Sequence, residues 1–306
     1  MQRLVETSVI VPTYNGANKI LNILRSLEKQ VCQDFETIVV VDGSTDDTLL
    51  VLEQNKFALR SFKIIEQSNK GRAGARNTGV REATGDLLIF FDDDMRPQKD
   101  CVSYHISHHK MFAGSICVGS ILNDYENAQT EMQKYKAYVS RLWEKDLKAL
   151  GKHNEPLPKE MLYISAANFS LPKDLFIKLK GFDEKLSDLE DLDFAITSYL
   201  NGIPIFFNEW AFSWHDEDYT LDSYIKRRKG YLNAKEQLKI DKPETLPFIM
   251  KLEPKNFRLK RWFFWLLSFD KWVTLVDKYS FFRWLPNKIK FKLYDFIITS
   301  KVIYFP

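Results

Sequence analysis

Five apolar residues, Leu87–Phe91, run straight into Asp92, Asp93 and Asp94. Like charges this close repel and raise each other's pKa, so a positive partner is expected beside them. In an extended segment side chains alternate faces, which places Asp92 and Asp94 together and turns Asp93 away. Two carboxylates on one face suit Mg2+ or Mn2+, ions commonly held by one or two carboxylates plus substrate phosphates. Such a cation would relieve the repulsion and fix a diphosphate. The competing reading is an exposed acidic turn that caps whatever follows Pro97.

Other residues carry chemistry of the same kind. Asp42 ends a β-branched run, where a carboxylate can accept from ribose hydroxyls or a base edge, or simply cap a helix. Arg76 lies in the glycine-rich stretch Asn69–Gly79, just inside an expected helix start, where it could meet phosphate or base, or point to solvent. That stretch lacks P-loop spacing and follows the third apolar segment, not the first. Ser187-Asp188-Leu189-Glu190 fits an S-x-x-E capping box, with Asp191 as a first-turn acid.

Elements must bring these groups together. Ser8–Val11, Thr37–Val41, Phe62–Glu66 and Leu87–Phe91 read as strands, separated by helices over Lys19–Gln30, from Ser44 or Thr45, and around Ala75–Glu82. Nearly continuous apolar strands between helices imply an α/β fold, a mostly parallel sheet covered on both faces. Ligands bind at the carboxyl ends of such strands. There Pro12-Thr13-Tyr14-Asn15, Asp42-Gly43-Ser44, the glycine-rich stretch and the acid triplet converge. Further along, strands are expected at Cys117–Leu122, Tyr163–Leu171 and Ile203–Phe207, with helices at Ala128–Leu150, from Lys173, and at Leu189–Leu200. From about Leu221 only helices and loops are expected.

The formal net charge of +3 over 306 residues is too small to imply nucleic acid. Its distribution says more: residues 251–306 hold 12 Lys+Arg against 4 Asp+Glu, a local +8, while the rest holds 32 against 37, a net −5. Three cysteines, an odd number without CxxC spacing, suit a reducing compartment and argue against a disulfide framework or structural zinc. No signal peptide and no spanning apolar helix are expected, which points to the cytoplasm. Residues 257–306 nevertheless gather Trp262, Trp265, Trp272, Trp284 and several phenylalanines among lysines and arginines. Basic amphipathic helices rich in Trp and Phe lie in membrane interfaces, so contact with the inner membrane face is expected, packing onto the core or a second subunit being the alternative.

The motifs together carry a resemblance. Ser8–Asn15, Val40–Asp46, Asn69–Gly79, Asp92 with Asp94, Gly181–Glu184 and Glu190-Asp191 stand in the order and spacing of a family 2 glycosyltransferase with the GT-A fold. The resemblance covers roughly residues 5–220. It implies a GT-A catalytic domain over 1–220, with a nucleotide-binding half (1–100) and an acceptor half (101–220), followed by a helical extension over 221–306. It further implies a UDP-sugar donor, a divalent cation, inversion at the anomeric carbon, and a glycan or lipid-linked acceptor. Carried residue by residue, Thr13, Asn15, Asp42 and Arg76 would hold the nucleotide, with Pro12, Tyr14, Gly43, Ser44, Asp92 and Asp93 around them. Asp94 would bind the metal, with Asp92 beside it or on ribose and sugar, and His215 as a metal or diphosphate ligand. Asp191 would be the base, Glu190 a cap or acceptor contact, and Asn168 a donor or acceptor contact. A sugar-1-phosphate nucleotidyltransferase would open with a glycine- and arginine-rich loop, where this chain has Pro-Thr-Tyr-Asn. A non-catalytic nucleotide-sugar-binding scaffold is the other alternative, and oligomeric state is left open.

Overall fold

A computed structural model describes residues 7–150, 154–249 and 261–305. One sheet contains eight strands in the order β3-β2-β1-β4-β7-β6-β8-β5. They are β1 (Thr7–Thr13), β2 (Phe35–Asp42), β3 (Ser61–Gln67), β4 (Leu87–Phe91), β5 (Met95–Pro97), β6 (Ile116–Leu122), β7 (Asn168–Pro172) and β8 (Ile205–His215). β1 runs parallel to β2 and β4, and β2 parallel to β3. β7 is antiparallel to β4 and β6, whereas β8 is parallel to β6 and antiparallel to β5. The carboxyl ends of β1 to β4 therefore share one edge of the sheet.

Helices α1 (Ile20–Leu27), α2 (Thr48–Gln54), α3 (Gly71–Glu82), α4 (Cys101–Met111), α5 (Glu131–Leu150), α6 (Lys173–Lys178) and α7 (Glu190–Leu200) follow in chain order. Strand alternation divides the core into two layers. Ile10, Ile38, Leu88 and Phe90 face one side with Ala73, Ala75 and Val80 of α3. Val9, Val11, Val39, Ile89 and Phe91 face the other with Ile20, Ile23, Leu24 and Leu27 of α1. Each such side chain contributes about 1.5–3 kcal/mol on burial. Phe90 stacks on Phe169 at 4.7 Å and meets Phe182 edge-on at 5.9 Å, joining the parallel strands to the second half of the sheet. α3 lies close to β1 because Gly79 has no Cβ; one would come within 2.4 Å of Ile10 Cγ2.

β4 coincides with the expected strand. The expected strand from Tyr163 begins only at Asn168, because a turn closes ahead of it with Asn168 N–H donating to Ser165 O at 3.1 Å. β8 runs well past Phe207 to His215, through polar residues that break the apolar run. α4 was not legible as an amphipathic helix, since its buried face includes His105 and His108.

The chain forms two compact units. The first holds residues up to Leu122 together with Leu142–Asp216, and contains the sheet. The second holds Asn123–Arg141 and the residues from Glu217 on. Beyond Glu217 the described elements are helical, as expected: α8 (Leu221–Asp241), α9 (Leu246–Ile249), α10 (Arg261–Leu267), α11 (Asp270–Asp277) and α12 (Asn287–Thr299), with short 3-10 and π turns. Tyr135, Ile225, Phe291, Tyr294 and Ile297 form the core of this second unit. Residues 257–260 and 306 of the expected membrane segment lie outside the described residues.

Candidate active site

The acid triplet is a turn, not an extended segment: Met95 N–H donates back to Asp92 O at 3.2 Å. Simple alternation therefore fails, and the three carboxylates go to three places. Asp92 Oδ1 accepts from Arg76 Nη2 at 2.6 Å. Asp93 accepts from Thr13 Oγ1 at 2.6 Å and pairs with Lys19 Nζ at 2.8 Å. Asp94 stands 3.9 Å from the same ammonium. Two protein cations, Lys19 and Arg76, thus supply the positive partners that the triplet demands. Lys19 was not singled out from sequence; the signal was a lysine entering the first helix in a chain whose acid triplet needed a counter-ion.

Asp94 has a further neighbour. His215 Nε2 lies 3.2 Å from Asp94 Oδ1, and among the described residues this buried oxygen has no other partner. Burial opposes its ionisation, yet the His215 ring holds the carboxyl down at about 2. Asp216 N–H donates to Asp94 O at 2.9 Å, tying the end of β8 to the turn. Burial pushes Asp93 the other way, up to about 6, against the pull of Lys19.

A buried carboxylate oxygen beside an imidazole nitrogen is a donor pair that Mn2+ accepts. Among the described residues no group of three His, Cys, Asp or Glu side chains is gathered for a metal. One carboxylate and one imidazole fit a cation that takes its other ligands from a diphosphate and water. Asp92, expected beside that cation or on ribose and sugar, gives one oxygen to Arg76.

The strand-end loops are laced together. Asn15 N–H donates to Ser44 Oγ at 3.0 Å, and Asn15 Oδ1 accepts from Thr45 N–H at 2.8 Å. Asp42 Oδ1 accepts from Gln67 Nε2 at 2.7 Å and Lys70 N–H at 2.8 Å. Gly43 has φ +68°, and a Cβ there would come within 2.6 Å of Asn69 N. Gly16 is equally constrained: a Cβ would sit 2.1 Å from Thr13 Oγ1 and 2.7 Å from Asp93 Oδ2. Pro12 lies within β1 opposite Val40, while Tyr14 is 50% exposed.

Arg76 does not face open space. Its guanidinium is 1% exposed, bridges Asp92 and Glu190 (Nη1 to Oε1, 2.7 Å), and lies 5.7 Å from the Phe182 ring. Burial works against its charge, but the two carboxylates raise its pKa. The capping box is not formed. Leu189 occupies the position before α7 with φ +67° and makes no side-chain cap, while Glu190 turns to Arg76. A leucine in this left-handed region stores about 1–3 kcal/mol, a strain that clusters at functional sites. Next to it, burial and then the Glu190 carboxylate push Asp191 up to about 7. Asp191 accepts from Leu192 N–H at 2.8 Å, and no cation pairs with it among the described residues.

Asn168 was expected at the ligand; it is fully buried in β7. Its amide donates to Ala211 O at 2.8 Å and Ser120 O at 3.1 Å, and His105 Nε2 meets its Oδ1 at 2.8 Å. All its strong hydrogen-bonding capacity is spent inside the fold.

The sequence model of the family described as Glycosyl transferase family 2 matches residues 8–174, more than half of the chain. This chain belongs to glycosyl transferase family 2. It is 31% identical over 227 residues to the uncharacterised glycosyltransferase YfnE of Bacillus subtilis (strain 168), a match covering 73% of this chain and 54% of YfnE. The chain spans about half the length of the relatives it matches. Two solved structures share its fold. The mannosyltransferase PcManGT of Pyrobaculum calidifontis, in complex with GDP-Man and Mn2+, has TM-score 0.62 at 16% identity, over 97% of this chain and 86% of that one. S. aureus TarS 1-349, in complex with UDP-GlcNAc, has TM-score 0.55 at 18% identity, over 98% and 89%. The GT-A expectation is borne out by these likenesses and by the mixed sheet with its helical C-terminal part.

Proposed function

We propose that this family 2 protein is an inverting glycosyltransferase. It moves a sugar from a nucleotide-sugar, a UDP-sugar first, to a hydroxyl of a glycan or lipid-linked acceptor. The observation that carries the reading is Asp94 Oδ1, buried and with His215 Nε2 as its one near partner among the described residues, beside the carboxyl ends of the parallel strands. A bound Mn2+ or Mg2+ held by Asp94 and His215 would supply neutralisation of charge developing on the leaving diphosphate. Thr13, Asn15, Asp42 and Ser44 shape the nucleotide pocket, with the exposed Tyr14 ring at its rim. Asp191 takes the acceptor hydroxyl proton as the oxygen attacks the anomeric carbon. A base with pKa about 7 is matched to neutral pH, and such help is worth about 10²–10⁴-fold in rate. Arg76 and Glu190 hold the helix entry that aims Asp191. Complexes of two fold neighbours with nucleotide-sugars support the donor class.

The test is thermal stability with UDP, GDP, CDP and dTDP, each with and without Mn2+. A nucleotide at 100 times its Kd stabilises by about 2.7 kcal/mol. UDP is expected to stabilise only with Mn2+, and Asp94→Asn to lose the effect. No shift with any of the four, or full retention in Asp94→Asn, overturns the reading and favours the scaffold alternative.

The same reading includes membrane contact from the cytoplasmic side. In the second unit Trp262, Trp265 and Trp284 are 69%, 51% and 72% exposed, with Arg261, Lys271, Arg283 and Lys288 exposed among them. Basic helices with exposed Trp suit an anionic membrane interface, and no described helix is long and apolar enough to cross one. Sedimentation with anionic vesicles is expected, and its persistence in a Trp262→Ser, Trp284→Ser variant would count against this contact.

A further inference from the structure

Unit 1 contains a cavity-forming feature that the transfer reaction does not use. β8 pairs with β6 up to Gly119↔Asn208 and resumes at Ser120↔Phe212. Glu209, Trp210 and Ala211 have no counterpart on β6, so they form a bulge. The bulge is built in, not loose. Ala211 is buried and its carbonyl accepts from Asn168 Nδ2 at 2.8 Å. Gly119 makes room for it, since a Cβ there would stand 2.3 Å from Ala211 O. Asn208 Oδ1 accepts from Trp210 N–H at 3.0 Å. The work of the buried Asn168 is thus to pin this bulge.

Its effect is to push Trp210 outward, 55% exposed, at the wall of a cavity of about 530 Å3. That volume lies within the range of small-molecule sites, about 300–1,000 Å3. Across from Trp210 the Tyr104 ring stands 6.3 Å away at 32°, and the Phe206 ring lines the same cavity. Lys148 Nζ lies at the cavity between Glu209 Oε2 (2.9 Å) and Glu144 Oε1 (3.4 Å). The cavity therefore joins flat aromatic faces to a pre-oriented set of donors and acceptors, and among the described residues its one lining ammonium, Lys148, is already paired.

We propose that this cavity is a second saccharide-binding site, taking a neutral unit of a glycan chain. A pyranose ring has an apolar C–H face, which packs on an aromatic ring, and an edge of hydroxyls, which pair with carboxylate, amide and ammonium groups together. A phosphate or other anion is disfavoured because two carboxylates already answer Lys148. The site is separate from the candidate active site. His215 lies five residues beyond Trp210 on β8, about 17 Å at roughly 3.3 Å per residue. The inference goes beyond the proposed transfer reaction, and its test reads binding alone.

Saturation-transfer NMR with maltotetraose, cellotetraose and tetraacetylchitotetraose, on the full chain, tests it. At least one of the three is expected to bind. Trp210→Ala should weaken that binding at least tenfold, Trp210→Phe should restore most of it, and UDP with Mn2+ should not displace it. Because Trp210 is exposed, the alanine variant is expected to keep the wild-type melting temperature. No binding by any of the three, equal binding in Trp210→Ala, or displacement by UDP with Mn2+ overturns the proposal.

Discussion

Arg76→Met offers the sharpest test of how the site is held. The wild-type guanidinium is 1% exposed and bonds Glu190 at 2.7 Å and Asp92 at 2.6 Å. Methionine fills similar space but leaves Glu190, itself 3% exposed, without its buried cation. Removing one partner of a buried ion pair costs about 3–5 kcal/mol. For a unit of roughly 150–250 residues each kcal/mol moves the melting temperature by about 2–4 °C, so a fall of roughly 6–20 °C is expected. Arg76→Lys keeps the charge, loses the two-pronged fork and should fall between. Scanning calorimetry of the first unit's transition is the assay. A loss under about 1 kcal/mol would refute the buried bridge. A variant of normal stability that failed only to bind UDP would place Arg76 at the ligand instead.

Three further outcomes are expected. With Asp191 at about 7, release of UDP from a UDP-sugar with water as acceptor should rise about tenfold between pH 6 and pH 8 and vanish in Asp191→Asn; a flat profile excludes this base. Burial holds His105 down at about 4 against an ordinary 6.5, so the unfolded state takes up its proton first and stability is lost as pH falls from 6.5 towards 4. Denaturation of His105→Asn should therefore show a pH slope shallower by up to about 1.4 kcal/mol per unit in that window, and parallel slopes would refute it. Gly16→Ala should cost about 1–3 kcal/mol by overpacking against the Thr13–Asp93 pair, and unchanged urea unfolding would show that the loop yields freely.

The parallel half of the fold was legible because its signals are local. β4 is five apolar residues with no ambiguity of period, and α1 shows its buried face as Ile20, Ile23, Leu24 and Leu27. The loops that gather at the strand ends follow from that pattern alone. The partners within the site did not. The alternation rule needs an extended backbone, and the acid triplet is a turn. Asp92 and Arg76 are sixteen residues apart, and nothing local marks the arginine as buried. The S-x-x-E spacing at Ser187–Glu190 matched a cap, but a distant guanidinium outcompeted the helix N-terminus for the carboxylate. Asn168 carried a family position but no sign that a bulge in β8 would claim its amide.

The bridge at Arg76 also orders events in time. Its two carboxylates lie 16 and 114 residues further along the chain. At a synthesis rate of about 5–20 residues per second, roughly 6–23 s pass between the making of Arg76 and of Glu190. Through that interval a nascent chain holds Asp92 as the nearer counter-ion, and α3 has no full set of partners to carry its guanidinium inside. The helix that starts at Glu190 therefore completes the pairing of Arg76, and β8 follows it into the sheet. A ribosome paused ahead of Glu190 presents a half-built sheet beneath a helix whose guanidinium has only one of its two carboxylates, the kind of surface on which a chaperone has its longest opportunity to act.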